Sequence, residues 1–517
     1  MKYSAKIKKA IQPFEVILAK DELIALAGIE QDNLQQIGER EYVFESSVDL
    51  HLLINNLAYW ESISTNIAQW GPISSNSCTI TKQVVIESGE NVLCSDYKIP
   101  NRRVLRYGVH NLHEYRGKFF PQLVIALLNA SSIPDHGVVL DPFCGSGTTA
   151  VETISHGYTA LGVDMNPLSV AISKAKCDLT RHDLSHNLPD LVHQKVNETT
   201  QVRITELWPE KDLQYLENWF SIDALYDIAT ILTAIDSSNH IDYNFCLMVL
   251  SNQLRSISWQ KNDDLRVHKD NSKTYSKGLV IHLFLKELDE QFEKIKKHRS
   301  IIDNSDFGNY SIQSGNSKNM ETIFPEWVGK CNVIITSPPY ATALPYLDTD
   351  RLSLVALLSV PRSDFPSLNY EMIGNREISD KQRKELWDQY MARRDELPFS
   401  VTTIIDDIYA YNSNNSVGFR RKNLPSLLSK YFLDMSDSMK SAHNMLQPNS
   451  FAYYVVGNNS TKLGEETKII PTNQLLWDIG KNVGFKQIKM IDMELLQSRD
   501  IFKDNRGSEE SILVFKK

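Results

Sequence analysis

No Cys-x-x-C pair occurs anywhere in the 517 residues, and the six cysteines (Cys78, Cys94, Cys144, Cys177, Cys246 and Cys331) are scattered. That spacing argues against a zinc ribbon and fits free thiols in a reducing compartment. No apolar run reaches the roughly 20 residues of a membrane span. The start, "MKYSAKIKKAIQPFEVILAKDE", lacks the uninterrupted apolar core and small-residue cleavage site of a signal peptide. A cytoplasmic protein with no membrane partner is expected. Net positive charge is missing too: the formal charge is −9, so a nucleic-acid partner would need a locally basic face on an acidic body. Internal repeats and low-complexity tracts are absent. What is present is an ordinary composition, 42% hydrophobic and 23% charged, enough to bury a sizeable core. The length suggests roughly two to four folding units.

Residues 1–104 mix helical and strand patterns and carry no chemical motif, an α+β region of unknown role. "VDLHLLINNLAYWESIS" has the spacing of an amphipathic helix, and "SCTITKQVVIESGENVLCSDYKI" reads as short strands around a Gly turn. Residues 105–180 change character. Two consecutive strand–loop–helix units, "GVVLDPFCGSGTTAVETI" and "YTALGVDMNPLSVAISKAKCDL", predict an α/β fold with a mostly parallel, doubly wound sheet. Ligands in such sheets sit at the carboxyl ends of the strands. Residues 181–304 read as a helical insertion. Strand patterns return in 305–517, interrupted by a polar helical stretch at 350–425. The last segments, "FKQIKMIDMELL" and "ESILVFKK", predict a closing antiparallel hairpin.

The Gly-rich turn of the first unit lacks the Lys of a phosphate-binding P-loop, since Gly147 is followed by Thr148, Thr149 and Ala150. A dinucleotide fingerprint does not place Asp141 and Pro142 at the strand end. A carboxylate there suits a ligand carrying an ammonium rather than a pyrophosphate. Gly145 and Gly147 let the backbone approach a ligand closely. Asp164, which ends the next strand, stands about 20 residues on, the spacing at which an acid takes ribose hydroxyls. Together they fit a nucleoside with a zwitterionic tail, as S-adenosylmethionine is. The bland reading is a structural Gly turn with a strand-end Asp.

The second motif is "CNVIITSPPYATALPY", a hydrophobic strand ending in Ser337, Pro338, Pro339 and Tyr340. Two prolines fix backbone φ and remove amide donors, so carbonyls project without competing N–H groups. A rigid carbonyl beside a Ser hydroxyl is an acceptor set for an exocyclic amine, and Tyr340 offers a face on which a base can stack. The bland reading is a surface Ser-Pro-Pro turn.

"DPFCGSGTT" together with "TSPPY" resembles the S-adenosylmethionine-dependent DNA amino-methyltransferases, which modify cytosine N4 or adenine N6. "HEYRGKFFPQLV" is similar to the family's segment that packs over the methionine end of the cofactor. The resemblance covers residues 105–180 and 305–517 and implies a Rossmann-like methyltransferase fold. It implies Lys118, Phe119, Asp141, Phe143, Gly145, Ser146, Gly147, Thr148, Asp164 and Asn316 as cofactor-binding residues. Asn316 and Ser317 stand where family members often carry an acid. Ser337, Pro338, Pro339 and Tyr340 are implied as the catalytic tetrad, and Ser in its first position is similar to the cytosine-N4 enzymes. The target base would be flipped from double-stranded DNA, and a cognate restriction endonuclease or defence-system subunit would be the protein partner. No metal and no covalent cysteine step are implied; Cys144 is read as a small buried residue.

Phosphate neutralisation requires a basic face. The favoured cluster is Arg420, Arg421 and Lys422 in "GFRRKN". Others are "EKIKKHRS" (Lys294, Lys296, Lys297, His298, Arg299) and "NRRVLR" at 101–106; each of the three is more often a solvated face, and at least one is expected to line the DNA cleft. His110 and His113 are open between DNA contact and helix capping. Phe119 and Phe120 are read as packing on the cofactor side. Trp219, Phe220 and Trp259 are read as core of the insertion. Rival functions are adenine-N6 methylation, methylation of an RNA base amine, and a non-catalytic DNA-binding subunit.

Overall fold

The computed structural model describes residues 1–65, 77–90, 93, 98, 103–115, 117, 120–261, 268–270, 272–302, 306–341, 346–375, 377–464, 466–494 and 509–517. The chain begins with β1 (Lys2–Ile7), β2 (Gln35–Gln36), β3 (Glu41–Glu45), β4 (Trp60–Thr65) and β5 (Ser77–Ile80). These form an antiparallel sheet in the order β2-β3-β1-β4-β5. Here the sequence reading needs two adjustments. "VDLHLLINNLAYWESIS" is a short helix, Leu50–Asn56, capped by Asp49, followed by β4. "KQVVIES" is a helix, Lys82–Ser88, that ends on Gly89 at φ 72°. Its β-branched residues favour a strand, but packing overrides that weak preference by burying Val84 on a helical face.

The central sheet has seven strands: β6 (Val138–Asp141), β7 (Thr159–Asp164), β8 (Tyr310–Ser314), β9 (Cys331–Thr336), β10 (Leu446–Gly457), β13 (Lys486–Glu494) and β14 (Glu509–Lys516). Their order is β13-β14-β10-β9-β6-β7-β8. The β10-β9-β6-β7-β8 run is parallel, and β14 pairs antiparallel with both β10 and β13. β11 (Asn459–Leu463) and β12 (Glu466–Ile470) form a separate hairpin. This is the doubly wound α/β sheet with a closing antiparallel hairpin that the strand patterns predict. From β6 the chain steps outward to β7 and β8, then returns to place β9 on the other side of β6. The order reverses between β6 and β9, and that reversal opens a crevice at the strand ends.

Side-chain alternation assigns each face of the sheet. Val138, Leu140, Ile334, Ala452, Tyr454, Val456, Leu513 and Phe515 point to one side, under the long helix Phe419–Met445 and the helix Thr472–Asn482. Val139, Val333, Ile335, Tyr453, Val455, Ile512 and Val514 point to the other, against the helix Pro121–Ala130 and the N-terminal sheet. The helical segment joins the remaining part of that face. Its helices, Leu188–Glu198, Ile222–Ile235, His240–Gln253 and Leu279–Ile302, share one core with Ala160 of β7 and Ile312 of β8.

Glu22 pins the N-terminal region to this body. It is fully buried, accepts from the backbone N–H groups of Ala58 and Tyr59, and takes the Asn129 amide at 2.9 Å. Burial pushes its carboxyl up to about 7. Cys78 is disulfide-bonded, so the free-thiol reading holds for Cys144, Cys177, Cys246 and Cys331. No described helix is long and apolar enough to cross a membrane.

Candidate functional site

Four residues singled out in the sequence lie at the carboxyl ends of four adjacent strands. Asp164 ends β7, Asp141 ends β6, Asn316 follows β8, and Ser337 follows β9. Parallel pairing puts Asp141 level with Gly162 and Asp164 level with Ser314. Strand adjacency therefore assembles at one edge residues that lie far apart along the chain.

The turn after β6 depends on its glycines. Gly145 and Gly147 adopt φ of 47° and 78°, a region that costs L-residues strain. A Cβ on Gly147 would lie 2.7 Å from Ser173 Oγ and 2.9 Å from its Cα, so the turn fits tightly against the helix Pro167–Arg181. A Cβ on Gly145 would lie 3.1 Å from the ring of Tyr115. Tyr115, from the "HEYRGKFF" segment, thus covers the turn, anchored through its hydroxyl to Ser169 at 2.8 Å. Gly147 leads into the helix Thr148–Ser155, where Ser146 and Thr148 are buried and Phe143 is half-buried.

Asp164 holds this turn from the next strand. One carboxylate oxygen takes the Gly145 N–H at 2.9 Å and the other the Asn166 N–H at 2.8 Å. Each oxygen retains lone-pair capacity for further donors. Burial pushes the carboxyl up to about 6; the two N–H bonds oppose the shift, and the nearby charges of Asp141 and Asp350 add to it. Asn166 reaches Asp350 through its amide at 2.7 Å, which ties the helix Tyr346–Ala356 to the same edge.

Asp141 is turned further inward than a residue facing an ammonium group needs to be. Only 3% exposed, it accepts from Thr336 Oγ1 at 2.6 Å and from the Phe143 N–H at 3.1 Å, both on Oδ1. Burial pushes this carboxyl up to about 6 as well. Thr336 immediately precedes Ser337, so Asp141 braces the first motif against the second. Oδ1 is committed to the brace and Thr149 also bonds the carboxylate; the lone-pair capacity that remains is what Asp141 has for a ligand.

Ser337 donates its hydroxyl proton to the Val455 carbonyl on β10 at 3.0 Å. With the proton committed, what the hydroxyl offers a ligand is its lone pairs. Tyr340 donates to Glu510 on β14 at 2.7 Å. Its ring lies against Gly457, where a Cβ would come within 2.8 Å of the ring. Gly374, at φ 82°, supports the turn from behind: a Cβ there would sit 3.1 Å from the Tyr340 carbonyl. Pro338 is buried and Pro339 half-buried.

Asn316 accepts from the Lys318 N–H at 3.1 Å and caps a short turn. Lys118 and Phe119 lie outside the described residues. Phe120 departs from its cofactor-side reading: it packs in the core with the N-terminal sheet, with the Arg103 guanidinium 5.6 Å from its ring centre. His110 and His113 are 2% and 7% exposed and are taken up by partners inside the fold. His110 Nε2 lies 2.7 Å from Glu152, and His113 Nε2 lies 2.9 Å from Ser251 Oγ.

The basic clusters separate by their partners. Arg103 pairs with buried Glu15, and Arg299 reaches the Thr180 carbonyl and Asp183, so both serve the fold. Arg420, Arg421 and Lys422 are exposed in the first turn of Phe419–Met445, which holds no acid of its own; Arg420 meets exposed Glu377 only at 4.0 Å. Cations oppose the helix dipole at that end, so helix stability does not account for them. Further along the same helix, Lys430 touches the Met372 carbonyl, close to the Gly374 that backs Tyr340.

Sequence reasoning missed Tyr115, Thr336, Asp350, Val455, Gly457 and Glu510. Tyr115 and Thr336 had a local signal, the one in the cofactor-covering segment and the other at the head of "TSPPY".

Comparison with known proteins agrees with the motifs. Residues 87–175 match the family model for N6/N4 methyltransferases, described as DNA methylase. That stretch holds the Gly-rich turn and Asp164 and ends before β8. The type II methyltransferase M.MvaI of Kocuria varians is 23% identical over 401 residues, spanning 72% of this chain and 81% of the relative. M.BsoBI of Geobacillus stearothermophilus, also a type II methyltransferase, is 23% identical over 441 residues, 76% of this chain and 83% of that one. The type II methyltransferase M.MjaII of Methanocaldococcus jannaschii is 35% identical over 94 residues, 18% and 17% of the two chains. These matches bear out the resemblance to the N4/N6 amino-methyltransferases, and S-adenosylmethionine comes with that family as the cofactor.

Proposed function

We propose, from this kinship with the N4/N6 amino-methyltransferases, that the chain methylates the exocyclic amine of a base flipped out of double-stranded DNA. Cytosine N4 is the favoured atom, and restriction-modification or phage defence the favoured setting. The observation that carries the reading is the Asp141–Thr336 bond at 2.6 Å. It couples the Gly turn to the Ser337–Tyr340 motif at the point where the strand order reverses, so the cofactor edge and the base edge share one crevice.

The bound cofactor supplies an electrophilic methyl on a sulfonium. The chain's own groups do the rest. Asp164 receives the ribose hydroxyls, Gly145 and Gly147 admit the backbone close to the ligand, and Tyr115 closes over the turn. At the base, Ser337 Oγ and the Pro338 carbonyl accept hydrogen bonds from the amine. That localises the nitrogen lone pair, otherwise spread into the ring, and aims it for in-line transfer. Tyr340, fixed by Glu510 and Gly457, supplies the stacking face. Arg420, Arg421 and Lys422 supply phosphate contacts from a helix that passes behind this edge.

Base-resolution modification sequencing of DNA from cells expressing the chain is expected to return N4-methylcytosine in one sequence context. Methylated adenine would replace cytosine in the assignment. Tritiated methyl transferred to RNA and not to DNA would install the RNA reading. Bound cofactor with transfer to neither would leave a non-catalytic subunit.

Asp164 makes the cofactor interaction pH-dependent. Its ionised form accepts two hydroxyl donors; the protonated form loses acceptor capacity. Because burial holds the carboxyl near 6, cofactor affinity should fall as pH drops from 7 to 5 and level off above 7. Asp164→Asn should bind more weakly and show a smaller fall through 6, the remainder coming from Asp141, whose buried carboxyl also lies near 6. Isothermal titration calorimetry across this range checks both, and a wild-type profile flat through 6 would remove Asp164 from the contact.

A further inference from the structure

Three buried donors next to this edge have no hydrogen-bond partner among the described residues: Nε and Nη2 of Arg351 and the hydroxyl of Tyr215. Arg351 is 8% exposed. A guanidinium edge held out of water without a partner is costly, so these groups call for a ligand. Their surroundings define its chemistry. The Arg351 guanidinium carbon lies 4.0 Å from the centre of the Trp219 ring. Contact with the indole face leaves the N–H edge available, and the Nε–Nη2 side of that edge is a fork matching two oxygens of one phosphate. Arg362 lies 4.5 Å from the Tyr215 ring and 4.7 Å from Phe365. Lys269 stands 5.3 Å from Trp219 and 5.8 Å from Trp259. Trp219 and Trp259 are half-buried and joined by a 2.8 Å backbone bond, whereas Phe220 is core.

Acids stand nearby as well, Glu377 acting on Asp348 among them. Asp348, one turn earlier on the Arg351 helix, attracts the guanidinium but makes no ion pair with it among the described residues. Asp212 is engaged by the Arg362 N–H at 3.2 Å. The result is three cations and three unpaired donors on an aromatic floor. The site also adjoins the reaction edge. Arg351 follows Asp350, which holds Asn166 beside Asp164, on the helix that starts shortly after Tyr340.

We propose that Arg351 and Tyr215 grip a phosphate of the DNA strand that carries the target base, with Trp219 and Trp259 as the floor of the site. The inference rests on the DNA reading above. It makes the helical segment part of the nucleic-acid surface, and Arg351 a positioning residue that holds the backbone while the base is displaced.

The test uses the full chain and a fluorescein-labelled duplex containing the sequence returned by the modification map. Anisotropy between 50 and 200 mM salt should show Arg351→Ala weakening DNA binding about tenfold or more and lowering the salt slope by about 1. Arg351→Lys should keep the slope and recover only part of the affinity, and Tyr215→Phe should lose less than Arg351→Ala. Cofactor affinity should stay at the wild-type value throughout. A methylphosphonate replacing the gripped phosphate should weaken the wild type and leave Arg351→Ala unaffected. Wild-type affinity and slope in Arg351→Ala, with an earlier melting transition, would make Arg351 a purely structural cation. Loss confined to one base identity, with unchanged slope, would make it a base reader and overturn the phosphate assignment. A wild type that methylates DNA yet ignores every methylphosphonate near the target sinks this inference alone. One that neither binds nor methylates DNA sinks it together with the proposed function.

Discussion

Replacing Ser337 by alanine is expected to lower methyl transfer by about 10²–10³-fold while leaving cofactor affinity unchanged, the scale found for one preorganised hydrogen-bonding group at a transition state. That corresponds to about 3–4 kcal/mol of barrier. The reasoning starts from the proton. Ser337 donates it to Val455, so the hydroxyl faces a substrate amine as an acceptor. Alanine removes that acceptor and leaves the Pro338 carbonyl alone to polarise the amine. The lost Val455 bond costs the fold only about 1 kcal/mol, so the variant should remain folded. Single-turnover transfer of labelled methyl, with cofactor binding measured in parallel, separates the two effects. Wild-type transfer in this variant would remove Ser337 from the chemistry.

Gly147→Ala should do the opposite, losing cofactor binding and stability together. The residue sits at φ 78°, where an L-residue carries strain of about 1–2 kcal/mol. Its new Cβ would also meet the backbone of Ser173 at 2.9 Å. Backbone cannot rotate away as a side chain can, so the helix Pro167–Arg181 must shift, at a further 1–3 kcal/mol or so. That helix carries Ser173, whose hydroxyl holds the Gly145 carbonyl at 2.8 Å, and Ser169, which anchors Tyr115. One methyl group therefore disturbs the turn and its cover at once. An unfolding free energy in urea lowered by about 2–5 kcal/mol, with cofactor binding abolished in calorimetry, is the expected pair of results. A stable variant that still binds cofactor would show the turn to be more tolerant than its packing implies.

Much of the edge was readable before the fold was known, because its chemistry is local. Positive φ at Gly145 and Gly147, the missing Lys after them, an acid ending the following strand, and two prolines after a hydrophobic strand are each expressed within a few residues. The repeated strand–loop–helix succession around them predicts parallel strands, whose carboxyl ends share an edge. What the sequence does not express is a side chain's partner far along the chain. Asp141 is read as facing a ligand's ammonium, and the bond by which Thr336, 195 residues later, takes one of its oxygens is invisible from either stretch. His110 and His113 sit beside basic residues in sequence, but tertiary packing buries them against Glu152 and Ser251. Phe220 is core and Trp219 packs against it, as read; that Lys269 and Arg351 also lie over the Trp219 ring is not visible in residue type alone.

The sequence by itself determined the two motifs, the parallel character of the strands that carry them and the class of ligand each suits, because those depend on backbone freedom and strand-end chemistry. Only the tertiary structure decided that β9 returns beside β6, that Glu510 from the last strand fixes Tyr340, and that Arg351 is buried on Trp219 with its donor edge unpaired. Such pairings depend on strand order and on which helix covers which face, and these are settled by burial over the whole chain rather than by any local stretch.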